Sequence, residues 1–303
     1  MFRSLNKNMA GILILLFSLT FYCCKNAEEA GQETFRLEDD IGCEITFENI
    51  PQKIISAAPN LTEILFKLGL GDKIIGVTNL CDFPSDAKSK EIVGDLLNLN
   101  YEKIISLKPD ILFITVEGNT KESYNKLSEL GIKVFVTNPR SLKGIDKTII
   151  DFGKIFKLEE IADNIVSEFE LRKNKILSST KSSSKKSVFI VSFSPLIIAG
   201  KNTFINELLT ACGLDNIAGN SIVPYPVYSR EEVLNKNPEI ILSTLDLIKN
   251  KDEILNLFPE WQNISAIKKN QVLLLQSDIF LRPGPRYIDA IEILHDKINK
   301  FQR

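Results

Sequence analysis

Two glutamates, Glu102 and Glu231, occupy the same place in two stretches built to one pattern, NYEKIISLKPDILFI from Asn100 and SREEVLNKNPEIILS from Ser229. Each comes two positions after a helix-capping residue. Its carboxylate therefore belongs in a first helical turn, where the positive end of the helix dipole favours the ionised form. Such a group either steadies its own helix or meets a cationic partner. The repeat preserves the glutamate while its neighbour changes from Lys103 to Glu232, which favours the partner. Other reactive types are scarce. The one histidine, His295, sits on an apolar-periodic C-terminal segment as a structural residue, and the only methionines are Met1 and Met9. Imidazole-based metal sites and haem ligation by His or Met therefore do not assemble. With no Ser-His-acid set and no glycine-rich phosphate loop, an enzyme is not expected. Tyr225, Tyr228 and Tyr287 remain as oxygen ligands for a haem iron or as wall residues. Arg282 and Arg286 flank a Pro-Gly-Pro turn, where each pairs with an acidic ligand group or bridges loops.

The elements that position these residues follow from the repeat. Asn100 and Ser229 are N-caps, and Ser229 with Glu232 forms a capping box. Pro109 and Pro238 close each short helix and launch ILFI or IILS, apolar runs expected of strands covered on both faces. A second echo, TEILFKLGLGDKIIG from Thr62 and INELLTACGLDNIAG from Ile205, stops at Gly69 and Gly213, each suited to a position just past a helix end. The pattern predicts a hairpin over residues 35–50 around Gly42. Strands at 53–57, 73–77, 110–115 and 133–136 then alternate with helices at 62–68, 101–107 and 121–130. Residues 141–178 read as two adjoining helices, with Ile161, Ile165, Phe169 and Leu171 as the apolar positions of the second. Strands at 187–192 and 272–275, a helix at 204–212 and a final helix starting at Pro285 complete a second α/β unit. Asn60 and Glu63 read as a capping pair, and Pro59 and Asn60 fall at the carboxyl end of a strand, where such folds open toward ligands.

With 303 residues and 44% hydrophobic content, the chain can bury two cores. Arg3 and Lys7 precede an apolar run from Met9 to Tyr22, too short to span a bilayer and typical of an export signal. Cys23, Cys24 and a polar stretch follow, as in a bacterial lipoprotein. Cys24, preceded by a small residue, is the expected lipidation site, with Cys23 the alternative. The predicted organisation is a signal over 1–23, a tether over 24–34, an N-terminal lobe over 35–140, connecting helices over 141–180 and a C-terminal lobe over 186–303. Removing Arg3 and Lys7 moves the balance from 37 basic against 39 acidic side chains to 35 against 39, which carries no nucleic-acid footprint. The cluster from Lys181 to Lys186 reads as a solvated linker. Cys43, Cys81 and Cys212 are an odd number, so at most one intrachain pair can close.

Taken in order, IISAAPNLTEILFKLGLGDKIIGVT, CDFP from Cys81, LKPDIL, VPYPVYSREEVL, PEWQNISAIKKNQV around Trp261 and PGPRYIDAIEIL resemble class III substrate-binding proteins of ABC importers for cobalamin, haem and iron siderophores. The resemblance covers roughly residues 36 to 300 and is greatest to the cobalamin-binding component. It implies an α/β fold of two Rossmann-like lobes with largely parallel sheets, joined by a single long helix, with the ligand held between the lobes. It further implies a monomer on the periplasmic side of the envelope whose Glu102 and Glu231 meet arginines of a two-fold permease dimer with its ATPase. Residue by residue, the ligand-binding positions it implies are Pro59, Asn60, Leu80, Leu96, Thr115, Phe193, Ile197, Tyr225 and Arg282. Tyr225 keeps a family aromatic and Phe193 lies near another, whereas Leu80, Leu96, Thr115 and Ile197 replace aromatics of the cobalamin relative. The expected cargo is a cobalamin-like ligand, with haem or a ferric siderophore as the alternative and a surface interaction lipoprotein without transport as the remote one. No cofactor, metal or nucleic acid is expected.

Overall fold

The computed structural model describes residues 34–179 and 184–301. The signal, most of the tether, Cys23, Cys24 and part of the 181–186 linker lie outside them. A hairpin of β1 (Phe35–Glu38) and β2 (Glu44–Phe47) turns at Gly42, whose φ of 83° suits a residue without a Cβ, and stacks Phe35 on Phe47 at 4.8 Å. The first α/β unit comprises β3 (Ile54–Ser56), α1 (Pro59–Lys67), β4 (Ile74–Val77), β5 (Glu91–Ile92), α2 (Tyr101–Leu107), β6 (Ile111–Thr115), α3 (Lys121–Glu129) and β7 (Val134–Thr137). Two helices follow, α4 (Leu142–Phe156) and the 21-residue α5 (Glu159–Ser179). The second unit comprises β8 (Lys186–Phe193), β9 (Leu196–Ile198), α6 (Phe204–Ala211), β10 (Asp215–Asn216), α7 (Arg230–Lys236), β11 (Ile240–Thr244), α8 (Lys251–Leu257), α9 (Ser265–Lys268), β12 (Val272–Leu275), α10 (Ser277–Phe280) and α11 (Tyr287–Lys300). No described helix is long and apolar enough to cross a membrane.

Both sheets follow one plan. The order β5-β4-β3-β6-β7 is parallel, and β10-β8-β11-β12 repeats its last four strands, with β9 added antiparallel on β8. In each unit the first strand lies inside the sheet, β3 between β4 and β6 and β8 between β10 and β11. That arrangement makes a topological switch point between β3 and β6, and another between β8 and β11, at the carboxyl edge of the sheet.

The two copies of the repeated stretch make matching caps and contacts. Asn100 and Ser229 accept backbone N–H groups at 3.0 and 3.1 Å, and the Glu232 carboxylate returns the Ser229 bond at 2.7 Å. Lys108 (φ 49°, ψ 62°) and Asn237 (φ 48°, ψ 64°) end the two helices in the left-handed region. The acid after each proline then pins the first strand of its unit. Asp110 accepts from the Gln52 and Lys53 N–H groups at 2.7 and 2.8 Å, and Glu239 accepts from Lys186 N–H at 3.3 Å. Gly69 (φ 79°) and Gly213 (φ 74°) close α1 and α6, with Leu70 and Leu214 bonding back to Leu65 and Leu209 in the six-to-one pattern of a Schellman end.

Several sequence expectations shift. Helix α1 begins at Pro59, not Thr62. Ala58 is its N-cap and Asn60 and Glu63 lie inside the helix, so they do not cap it; both turn toward the C-terminal segment instead. Helix α11 begins at Tyr287 rather than at Pro285. On α5 the buried stripe is Ala162, Ile165, Phe169 and Ile176, which rotates Ile161 and Leu171 out to 44% and 73% exposure. Cys43, Cys81 and Cys212 are all free thiols. Helices α8 and α9 lie in a stretch the sequence pattern left unassigned.

One apolar cluster joins the two units: Leu61 and Leu65 of α1, Phe152 of α4, Phe169 of α5, Leu208 of α6 and Ile291 of α11 belong to it. Buried Tyr287 lies edge-on to Phe169 and donates its hydroxyl to Asp146 at 3.0 Å. Burial pushes the Asp146 carboxyl up to about 6, against the Tyr287 hydrogen bond and Lys173 and with the help of Glu170. A carboxyl with a raised native pKa contributes stability fully below its unfolded value, near 4, and loses it as pH rises through about 6. Urea unfolding of the parent and Asp146→Asn is therefore expected to show the parent gaining, relative to the variant, on the order of 1–2 kcal/mol between pH 7.5 and pH 4.5. A pH-independent difference would place Asp146 in the ordinary carboxylate range.

Candidate functional site

The carboxyl edges of the two sheets face a cleft of about 640 Å³. The first unit lines it with Pro59 and Asn60 after β3, Leu80 after β4, Leu96 after β5, and Thr115 at the end of β6. The second contributes Tyr225 and the turn from Ser277 to Pro283, including Arg282. Seven of the nine positions singled out in the sequence thus meet in one space. Phe193 and Ile197 do not line it: Phe193 packs against Phe258 at 6.0 Å, and Ile197 bridges to Val227. Glu117, Arg140, Asp278 and Leu281 line the cleft without having been singled out. Glu117 had a signal, since the repeat continues to Asp246 at the matching place beyond the second strand.

Where the units touch, charge and backbone are interlocked. The Asn60 side-chain amide donates to Pro283 O at 3.2 Å, and a Cβ on Gly284 would come within 3.3 Å of Asn60. Buried Glu63 accepts two bonds from Arg286, at 2.8 and 2.6 Å, and Arg286 also bonds Asp278 at 2.8 Å and lies 4.3 Å over the Phe83 ring. Arg286 is thus a bridge between loops. Arg282 pairs with Asp82 at 2.6 Å and approaches Glu63 at 3.5 Å. Burial pushes the Glu63 carboxyl up against the pull of Arg286 and Arg282, whereas the Arg282 hydrogen bond holds Asp82 below its ordinary value.

The charges facing the cleft are already matched. Glu117 pairs with Arg140 at 2.9 Å, and its carboxyl is pushed up by burial, which Arg140 opposes. Burial, reinforced by Glu117, pushes the Tyr225 phenol up to about 12. The buried Thr115 hydroxyl has no hydrogen-bond partner. Apolar walls, paired ions and one idle hydroxyl can hold a bulky ligand with uncharged polar groups; they offer no nucleophile with an adjacent base.

The other candidates lie elsewhere. Tyr287 is wholly buried, Tyr228 packs on the second core cluster, and the His295 ring sits near Ser179 and Asn299 on α11. No group of three or more His, Cys, Asp or Glu suited to a metal occurs among the described residues. Glu102 and Glu231 are exposed in the first turns of α2 and α7, with no side-chain partner among the described residues. Each helix runs back from the carboxyl edge to feed a parallel strand, so both glutamates stand at the edge that bounds the cleft. Trp261 fixes α7 from behind, its indole N–H donating to Arg230 O at 3.1 Å.

Residues 54–279 match the periplasmic binding protein family. The chain belongs to that family. Its members are binding components of transport systems rather than enzymes. This binding protein is 34% identical over 250 residues to a vitamin B12-binding protein of Vibrio campbellii, covering 81% of this chain and 89% of that one. It is 33% identical over 311 residues to an uncharacterised ABC transporter substrate-binding lipoprotein, YvrC, of Bacillus subtilis, covering 96% and 98%. Among solved structures, the periplasmic vitamin B12 binding protein BtuF of Vibrio cholerae matches at TM-score 0.73 and 30% identity, covering 84% of this chain and 99% of that one. The haem-binding protein RhuT of Roseiflexus matches at TM-score 0.75 and 21% identity, covering 83% and 99%, a likeness of fold alone.

Proposed function

We propose that this chain is the lipid-anchored binding component of an ABC importer and carries a cobalamin-like ligand. The observation that carries the ligand class is the pairing of the cleft's charges. Arg140 and Arg282 already hold Glu117 and Asp82, so a polyanionic ferric siderophore or the carboxylates of haem would have to break those pairs before gaining a cation. A corrin rimmed by neutral amides needs apolar walls and hydrogen-bonding groups, which Leu80, Leu96, Tyr225 and the idle Thr115 hydroxyl supply. Tyrosine ligation of haem is disfavoured as well at two of the three candidates, because Tyr287 is sealed in the core and Tyr228 packs on the second core cluster. The identity to vitamin B12-binding relatives supports the same reading.

Anchoring through Cys24 is supported by the likeness to a named lipoprotein, and a lipidated N-terminal peptide in a mass spectrum is its check. Docking onto a permease rests on Glu102 and Glu231, which the fold leaves exposed at equivalent helix ends.

Calorimetry with cyanocobalamin tests the ligand. Binding at submicromolar concentration is expected, with Tyr225→Ala weakening it roughly tenfold through lost apolar and stacking contact. Trp261 is buried and does not line the cleft, so heat is a better readout than its fluorescence. Tight haemin binding with none for cyanocobalamin would reject the ligand and leave the family intact.

A further inference from the structure

Both lobes carry an exposed aliphatic side chain in the short segment between the cleft wall and the docking helix. Leu96 and Tyr225 stand at matching positions of the repeat, and both line the cleft. Just past them, Leu97 is 63% and Val227 66% exposed, and neither lines the cleft. The cap Asn100 lies three positions beyond Leu97, a reach of at most about 11 Å, and the cap Ser229 two positions beyond Val227, at most about 7 Å. Each aliphatic side chain is therefore bound closely to the helix bearing Glu102 or Glu231.

The backbone holds both in place. Asp95 accepts from the N–H groups of Leu97 and Asn98 at 2.8 and 2.7 Å, and Gly94, at φ 124°, lies where a Cβ would fall 2.3 Å from Asn98 O. No other residue fits that turn. On the second lobe, Gly200 and Ile198 donate to Pro224 O and Pro226 O at 2.7 and 3.2 Å, and Tyr228 donates to Leu196 O at 2.9 Å. That lays the segment from Pro224 to Tyr228 against β9 and turns Val227 outward. Two different loops thus present the same thing: an ordered apolar knob beside an unpaired glutamate.

We infer that Leu97 and Val227 are the apolar half of the surface that docks the permease, each entering a socket on one subunit of its two-fold dimer beside the cation that meets the neighbouring glutamate. The inference rests on the importer reading proposed above. Charged contacts set orientation and rate of encounter, and ordered apolar anchors at the centre of an interface hold the complex afterwards. Duplication of the knob on both lobes matches a partner with two equivalent halves, whereas a single ligand in the cleft has no need of it.

The experiment measures binding of the full chain to the purified permease–ATPase complex in nanodiscs, with cyanocobalamin binding and melting temperature recorded alongside. Leu97→Ser and Val227→Ser are each expected to weaken the complex roughly tenfold, chiefly by faster dissociation, with little change in salt dependence. Melting temperature and cyanocobalamin affinity should be unchanged. A double variant that binds the permease as tightly as the parent overturns the inference, and so does a parallel loss of cyanocobalamin affinity, which would make the knobs part of the ligand wall. If the parent itself fails to bind the permease while holding cyanocobalamin, the importer reading fails first and takes this inference with it.

Discussion

Arg286→Ala is expected to remove about 3–5 kcal/mol of stability, more than any exposed substitution in the chain. The guanidinium lies between Glu63 on α1 and Asp278 on α10 and also covers the Phe83 ring, so its loss strands a carboxylate that is only 3% exposed. Burial already pushes Glu63 up, and without Arg286 it rises further, so protonation relieves part of the loss in acid. The deficit should therefore shrink between pH 8 and pH 5. A paired Glu63→Gln, Arg286→Met variant should recover much of it, because the cost lies in the unpaired charge rather than in the absence of the pair. Urea denaturation of the three proteins decides: a loss under about 1 kcal/mol for Arg286→Ala would mean that the ion pair does not hold the two units together.

Reversing both Glu102 and Glu231 to lysine is expected to lower ligand uptake in a reporter cell by roughly 100-fold, with each single change costing roughly tenfold, since like charges facing each other across an interface cost several kcal/mol. The fold should hardly notice. Both side chains are exposed with no partner among the described residues, and the dipole contribution lost at each helix end is about 0.3–1 kcal/mol. Cyanocobalamin binding by the isolated chain should also persist, which separates docking from capture. Unchanged uptake in the double variant would show that these glutamates do not face the permease.

Much of the architecture is legible in the chain because it is written twice. Capping residues, Pro109 and Pro238, and the apolar runs after them dictate a helix feeding a buried strand wherever they occur, and tertiary context has little to override. The glycine stops at Gly69 and Gly213 are equally local. Residues whose roles depend on partners distant in sequence were hidden. Asn60 and Glu63 carry the local signature of a cap, yet their partners are Pro283 and Arg286, more than two hundred positions away. Asp110 and Glu239 look like ordinary acids after a proline, and only the fold shows the backbone N–H groups they hold. On α5 the difference is one of phase: Ile161 and Leu171 fit a helical period, but the side of the helix that meets α4 and α11 is set by Ala162 and Phe169. Within the cleft, the resemblance supplied wall positions but not Arg140, and Glu117 was marked only by its counterpart Asp246 in the repeat; an ion pair closed by two loops leaves no trace of the pairing itself.

The shared apolar cluster bears on how the two units come apart. Leu61 and Leu65, near the start of the first unit, belong to the same cluster as Tyr287, Ile291 and Leu294, more than two hundred positions later. Neither lobe can close its core on its own residues, so the pair should melt as one cooperative unit rather than in two steps.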